Sequence, residues 1–236
     1  MKYNRLIVGI LVAGLFAAPV SPLYKNSTDI GSAFAEEQLS ANSDPAKLKA
    51  KLAEIDKRIS ETPSAKLYGA KANVLAFLNL NSEALLAIDK AIELKPTDGK
   101  YYAYKGLLYS SKGDADKTIT NIEKGKSLGY TDPEYLGILA LAQTEVHDFK
   151  KALVNANAAI EMDKSCYPAW YARGRVKNYR KDFKNALPDL TQAIKLAQEL
   201  SGPYTERAIT WDGLGNKKNA IADREKASKL KLKLKR

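Results

Sequence analysis

Residues 82–96 read SEALLAIDKAIELKP, and residues 150–162, KKALVNANAAIEM, repeat the same order of small and large side chains. The alanines Ala84 and Ala152 correspond in the two stretches, at an offset of 68, which is twice 34. Self-similarity at a fixed period of this size is the sequence signature of a repeat protein. The two stretches therefore predict tandem units of one constant length.

Four columns of constant character appear when the chain is read in steps of 34. Three contain only small residues: Ala84, Thr118, Ala152, Ala186 and Ala220; Ala91, Gly125, Ala159, Ala193 and Ala227; Ala72, Gly106, Ala140, Gly174 and Ala208. The fourth contains only large apolar residues: Tyr68, Tyr102, Leu136, Trp170 and Tyr204. Two helices approach closely only where side chains are small, and a large residue one turn away fills the remaining space. The columns predict an all-α fold of packed helix pairs.

This pattern resembles the tetratricopeptide repeat family, in which these small and large residues occupy positions 8, 20, 27 and 4 of each unit. The units then run 65–98, 99–132, 133–166, 167–200 and 201–234. The resemblance implies a right-handed α-solenoid of five tandem helix-turn-helix repeats. It also implies an inner groove, built mainly from each first helix, that binds peptides or partner proteins.

Residues 36–64 are expected to form a linker and a capping helix. Asp44 and Pro45 are typical of a helix start, and Thr62 and Pro63 of a helix end. The apolar residues between them are spaced by four, three and four: Leu48, Leu52, Ile55 and Ile59. This short seam favours a helix that covers the first repeat, and the alternative is a dimer contact. The sequence leaves the oligomeric state open.

Residues 1–35 have the features of a signal peptide. A basic start containing Lys2 and Arg5 precedes the apolar run LIVGILVAGLFAAPV at residues 6–20, which is short for a membrane span of about 20 residues. Ala33-Phe34-Ala35 is a small-x-small cleavage site. We expect the mature chain to begin near Glu36 and to act in the periplasm, the cell envelope or outside the cell. An uncleaved membrane anchor is the alternative.

Composition excludes most catalytic and metal-dependent functions. One histidine and one cysteine among 236 residues rule out an internal disulfide framework and a zinc site with several such ligands. The chain has no glycine-rich phosphate loop and no nucleophile elbow. We therefore expect no enzyme activity, no cofactor and no metal. His147 is expected in the turn of the third unit and Cys166 as a buried thiol, with an intermolecular disulfide as the alternative.

The formal net charge of +11 is concentrated at the C-terminal end. Residues 216–236 carry +7, from nine basic and two acidic side chains, while residues 36–215 carry only +2. A folded nucleic-acid reader spreads basic residues over a face that also has stacking groups, so we expect no nucleic-acid partner. The basic end is typical of the polar outer face of a terminal solenoid helix. The alternative is that the protein is an envelope-associated assembly factor, whose basic C-terminal tail contacts anionic lipid or an anionic envelope polymer.

Position 7 is basic in four units, as Lys71, Lys105, Arg173 and Arg207. The two units with Arg at position 7 have Asp189 and Asp223 at position 23. This coincidence predicts Arg–Asp pairs between the two helices of one repeat, and Lys105 would face Asn121 in the same scheme. The alternative is a stripe of basic residues that binds an anion.

The candidate groove residues lie at first-helix positions that packing does not need. In the fourth unit, residue types that anchor peptide interfaces follow one helical face, as Tyr171, Arg175, Asn178 and Tyr179. Asn73 of the first unit is the fifth candidate groove residue. It is also the one match to the subclass that clamps a C-terminal carboxylate, so we expect no such clamp. A groove role predicts that alanine at Arg175 or Tyr179 weakens partner binding with little loss of stability. The alternative is that the tyrosines pack between neighbouring repeats.

Export with cleavage can be tested by intact-mass analysis of the protein from its native compartment. We expect a mass that corresponds to a chain beginning near Glu36, because the small-x-small site precedes that residue. A full-length mass would instead support the uncleaved anchor.

Overall fold

The structure is a computed structural model that describes residues 44–233, which form eleven α-helices and no strand. Their bounds are α1 Pro45–Glu61, α2 Ala65–Phe77, α3 Asn81–Leu94, α4 Gly99–Ser111, α5 Ala115–Ser127, α6 Pro133–Glu145, α7 Phe149–Met162, α8 Tyr167–Tyr179, α9 Phe183–Leu196, α10 Ser201–Gly213 and α11 Lys217–Lys233. The predicted signal peptide, residues 36–43 and the last three residues lie outside the described part.

The chain divides into two compact units at residue 132. In the N-terminal unit, which is described from residue 44 to residue 131, α1 packs on α2, α2 on α3, α3 on α4, and α4 on α5. Leu48 and Ile55 of α1 are buried, so this helix covers the first repeat as the sequence predicts.

In the C-terminal unit, which is described from residue 132 to residue 233, α6 pairs with α7, α8 with α9, and α10 with α11. Helix α8 also packs against the first helices on either side of it, α6 and α10. The three first helices therefore form one layer, called the first-helix layer below. The second helices α7 and α9 each pack against the first helix of the next repeat. Such tandem stacking of helix pairs is that of an α-solenoid.

The same turn joins the two helices of every repeat. Each turn contains one residue with a positive φ of 59° to 77°, and these residues are Asn79, Gly113, His147, Lys181 and Gly215, 34 apart. In two repeats the next residue caps the second helix, since the Asp114 and Asp148 carboxylates accept hydrogen bonds from backbone N–H groups three residues later. His147 therefore lies in a turn, as the sequence predicts.

The small-residue columns lie where the paired helices come closest. Ala72, Ala140 and Ala186 are completely buried. A methyl group on Gly174 would come within 2.7 Å of the Leu190 side chain, and one on Gly106 within 2.5 Å of Ile122. These contacts leave no room for a larger residue, which is why the columns contain only small side chains.

The predicted Arg–Asp pairs are confirmed. The Arg173 guanidinium donates two hydrogen bonds of 2.8 Å to the Asp189 carboxylate, and Arg207 makes the same two-point contact with Asp223. Both aspartates are buried. Each pair therefore joins the first and second helix of one repeat through a charge-assisted, two-point contact.

The predicted contact between Lys105 and Asn121 is wrong. The Lys105 ammonium lies 2.7 Å from the Asp89 carboxylate of the preceding repeat, and the Asn121 side chain donates to the backbone carbonyl of Lys117. A position-7 side chain lies within reach of two second helices, its own and the preceding one. The second helix of its own repeat offers Lys105 only the neutral amide of Asn121. The flexible lysine therefore pairs with the Asp89 carboxylate on the second helix of the preceding repeat.

No helix among residues 44–233 combines the length and the apolar character needed to cross a bilayer.

Candidate partner-binding site

Four of the five predicted groove residues lie on α8, at the centre of the first-helix layer. Tyr171, Arg175 and Asn178 are buried, whereas the Tyr179 side chain is exposed. The difference follows from the packing of α8, because its sides contact α6 and α10 while its C-terminal end reaches the solvent. The structure thus separates one accessible residue from three that contact neighbouring helices.

Arg175 lies between two carboxylates from the helices on either side. Its Nε is 3.2 Å from the Glu206 carboxylate on α10, and its Nη1 pairs with Glu145 on α6. All three side chains are buried: Arg175 is 4% exposed, Glu145 8% and Glu206 7%. One guanidinium therefore compensates two buried carboxylates and joins three successive first helices.

Asn178 extends this network toward α10. Its amide nitrogen donates to the backbone carbonyl of Glu206 at 2.9 Å, and its oxygen accepts from the Thr210 hydroxyl at 2.8 Å. Five residues make up the buried network, which we call the polar lock: Glu145, Arg175, Asn178, Glu206 and Thr210. Because these side chains satisfy one another across the layer, they hold α6, α8 and α10 at fixed positions.

Tyr171 lies beside the polar lock but makes no hydrogen bond to it. The Arg175 guanidinium lies 5.6 Å from the centre of the Tyr171 ring, within the range of a cation–π contact. The Tyr171 hydroxyl is buried without a hydrogen-bond partner. The side chain therefore packs between repeats, which is the alternative that the sequence left open.

Asn73, the fifth predicted groove residue, occupies the corresponding place in the N-terminal unit. It is buried, and its side-chain oxygen accepts a hydrogen bond of 3.1 Å from the Tyr104 hydroxyl of the next repeat. The contact of Asn73 with Tyr104 corresponds to that of Arg175 with Glu206. In both contacts the two residues are 31 apart in the chain. Position 9 of one unit therefore contacts position 6 of the next at both places.

These contacts correct the expectation for Arg175. The sequence predicts that alanine there leaves stability nearly unchanged, whereas the structure shows a buried charge with two partners. The signal that could have found this contact was present, because Glu145 precedes Arg175 by 30 and Glu206 follows it by 31, close to one repeat length. Contact with a ligand by the five predicted groove residues stays a prediction.

An exposed aromatic cluster adjoins the polar lock, and sequence reasoning missed all of it except Tyr179. The rings of Tyr179 and Phe149 lie 5.1 Å apart, and the His147 ring stands nearly perpendicular to both at 5.5 Å. Tyr179 is 42% exposed, and Val146 and His147 are also exposed beside it. We call Val146, His147, Phe149 and Tyr179 the aromatic surface.

The repeat period explains how the aromatic surface forms. Phe149 and Tyr179 occupy position 17 of one repeat and position 13 of the next. The next such pair is Phe183 and Gly213, and a methyl group on Gly213 would come within 2.3 Å of the Phe183 ring. Position 17 of one repeat thus contacts position 13 of the next at two places in the C-terminal unit. Only the first of these pairs has two aromatic side chains.

Cys166 is a free, buried thiol, as the sequence predicts. Its sulfur donates a hydrogen bond to the backbone carbonyl of Pro133 at 3.2 Å. Burial raises the pKa of this thiol to about 12, so it stays protonated and unreactive at neutral pH. Among residues 44–233, no group of three or more His, Cys, Asp or Glu side chains could hold a metal ion.

The tandem helix pairs define a helical repeat protein, and a known family model matches two of its repeats. The family model of the tetratricopeptide repeat matches residues 65–98 and 167–200, the first and fourth predicted units. The match supports the resemblance of these repeats to the tetratricopeptide repeat family. Proteins of this fold typically act in protein–protein interaction. No curated protein matches the chain.

Solved structures share the fold. YrrB, described as a TPR protein with an unusual peptide-binding site, is 21% identical over 75% of this chain and 91% of its own, with a TM-score of 0.56. MamA from Desulfovibrio magneticus is 16% identical over 72% of this chain and 96% of its own, with a TM-score of 0.57. A tetratricopeptide repeat protein from Parabacteroides merdae is 15% identical over 78% of this chain and 73% of its own, with a TM-score of 0.62.

The polar lock can be tested by removing the charge of Arg175 alone and then all three of its charges together. We expect Arg175→Met to lower the free energy of unfolding by about 3–5 kcal/mol, because two buried carboxylates lose their counter-charge. Replacing all three charges, with Arg175→Met, Glu145→Leu and Glu206→Met, should recover most of that loss. Urea denaturation of the three proteins measures both effects. If Arg175→Met unfolds like the wild type, the three side chains are solvated and the lock does not exist.

Proposed function

We propose that the protein is a non-enzymatic, extracytoplasmic scaffold that binds a peptide or partner protein at the first-helix layer of its C-terminal unit. The observation that carries this proposal is the aromatic surface, which is exposed directly beside a buried and fully paired polar network. The fold supports the proposal, and so does the peptide-binding site named for the structurally similar YrrB. The export signal predicted at residues 1–35 supports the location.

The aromatic surface has the composition of an interface anchor. Tyrosine and tryptophan dominate binding energies at protein interfaces because they bury a large area while losing little side-chain freedom. Tyr179 is held on one side by the Phe149 ring and on another by His147, so its ring is oriented before a partner arrives. Ile209, on the next first helix, adds a further exposed apolar side chain to the layer.

The polar lock supports binding without contacting the partner. It fixes α8 between α6 and α10, so the surface carried by the end of α8 does not need to be ordered on binding. Pre-organisation of this kind raises affinity by reducing the entropy lost in the complex. In this proposal Arg175, Asn178 and Tyr171 position the layer, and Tyr179 touches the partner.

The proposal can be tested with the mature chain as bait. A partner is first captured from the extracytoplasmic fraction and identified, and its affinity is then measured with the purified protein. We expect Tyr179→Ala to weaken binding at least tenfold, which is typical of a truncated anchor, with a small change in melting temperature. Val154→Ala is the matched control, because Val154 is also an exposed apolar residue and lies on the second helix α7 of the same unit.

Two results would contradict the proposal. One is wild-type affinity for Tyr179→Ala together with weaker binding by Val154→Ala, which would put the partner on the second helices. The other is a large loss of melting temperature in Tyr179→Ala with unchanged affinity, which would make the aromatic surface part of the packing.

A further inference from the structure

Helix α11 is the last helix of the chain, and one face of it packs against the C-terminal unit. The buried residues follow each other at three, four and three positions: Ala220, Asp223, Ala227 and Leu230. The buried Asp223 carboxylate accepts two hydrogen bonds from Arg207 on α10. The helix is therefore fixed in place before it meets any partner.

The opposite face of α11 combines apolar and basic side chains. Ile221 is 54% exposed and Leu232 is 64% exposed, three helical turns apart. Two exposed lysines accompany them: Lys218 lies three residues before Ile221, and Lys229 lies three residues before Leu232. At about 3.6 residues per turn these four side chains share one side of the helix, which also contains Glu225.

The ion pairs of α11 leave three of its described lysines without a counter-charge. Asp223 is paired with Arg207, and Asp212 of α10 pairs with Arg224. Among the described residues, none of Lys217, Lys218 and Lys229 has a carboxylate within salt-bridge distance. Glu225 is the one other acidic residue of the helix, and the sequence continues beyond it with further basic residues. The exposed face thus combines two apolar side chains with lysines that outnumber its one acidic residue.

We propose that this face of α11 binds the surface of an anionic lipid bilayer. Such a surface takes both kinds of side chain, because apolar residues enter the boundary of the acyl chains while lysines contact the lipid headgroups. A single-stranded nucleic acid would instead be bound by aromatic stacking groups, and α11 has none. The helix binds in the plane of the membrane surface, since it is neither long nor apolar enough to cross a bilayer.

The experiment compares binding of the mature chain to two kinds of vesicle, phosphatidylcholine alone and phosphatidylcholine mixed with phosphatidylglycerol. We expect sedimentation with the mixed vesicles only. Replacing Lys217, Lys218 and Lys229 by Gln should weaken binding about 100-fold at low salt, since each lysine near an anionic surface contributes about fivefold. The matched control replaces Lys150, Lys184 and Lys195, three exposed lysines of α7 and α9, by Gln and should bind like the wild type.

A second variant separates a bilayer from a soluble polyanion. Ile221→Ser with Leu232→Ser should weaken vesicle binding and leave binding to heparin unchanged, because only the bilayer has an apolar phase. Circular dichroism and unaltered partner capture through Tyr179 would show that the variants are folded, which distinguishes this proposal from the proposed function.

Three results would overturn the inference. The first is equal binding to both kinds of vesicle, and the second is an equal loss of binding in the control lysine variant. The third is unchanged vesicle binding by the serine variant together with tight binding of heparin by the wild type, which would make the ligand an anionic polymer.

Discussion

The close contact between the two helices of each repeat is the constraint on which the rest of the structure depends. At Gly174 the backbone of α8 comes so near to Leu190 of α9 that a single methyl group would lie 2.7 Å from the leucine side chain. Because the helices meet at this distance, position 7 of the first helix comes opposite position 23 of the second. The two-point contact of Arg173 with Asp189 follows from that geometry and recurs one repeat later.

The Arg–Asp contacts within a repeat could be predicted from the sequence, whereas the contacts between repeats were missed. Within a repeat, the two helices and their turn have one length, so the constant period is enough to align Arg207 with Asp223. Between repeats, the contacts depend on how far one first helix is shifted along the next. The repeat period alone does not report that shift, which is why Arg175 was expected on the surface although it lies between Glu145 and Glu206. Lys105 shows the same limit, since its flexible side chain pairs with Asp89 of the preceding repeat.

The C-terminal unit separates the residues that hold the first-helix layer together from those that can meet a partner. Arg175 and Asn178 use their polar groups within the layer, so they offer little to a ligand. Tyr179 follows Asn178 directly in the chain, yet it presents its ring to the solvent against Phe149 and His147. Sequence patterns identify such a helix as a candidate site, but burial decides which of its residues are accessible.

The close helix contact is tested most directly by the free energy of unfolding of Gly174→Leu, measured beside Lys184→Leu on the exposed side of α9 in the same repeat. The account predicts a loss of about 1–3 kcal/mol for Gly174→Leu, since the added side chain has no space next to Leu190. The control should remain within about 0.5 kcal/mol of the wild type, as is usual for a surface position. Equal stability of Gly174→Leu and the wild type would contradict the account, because the helices would then not require a small residue where they meet.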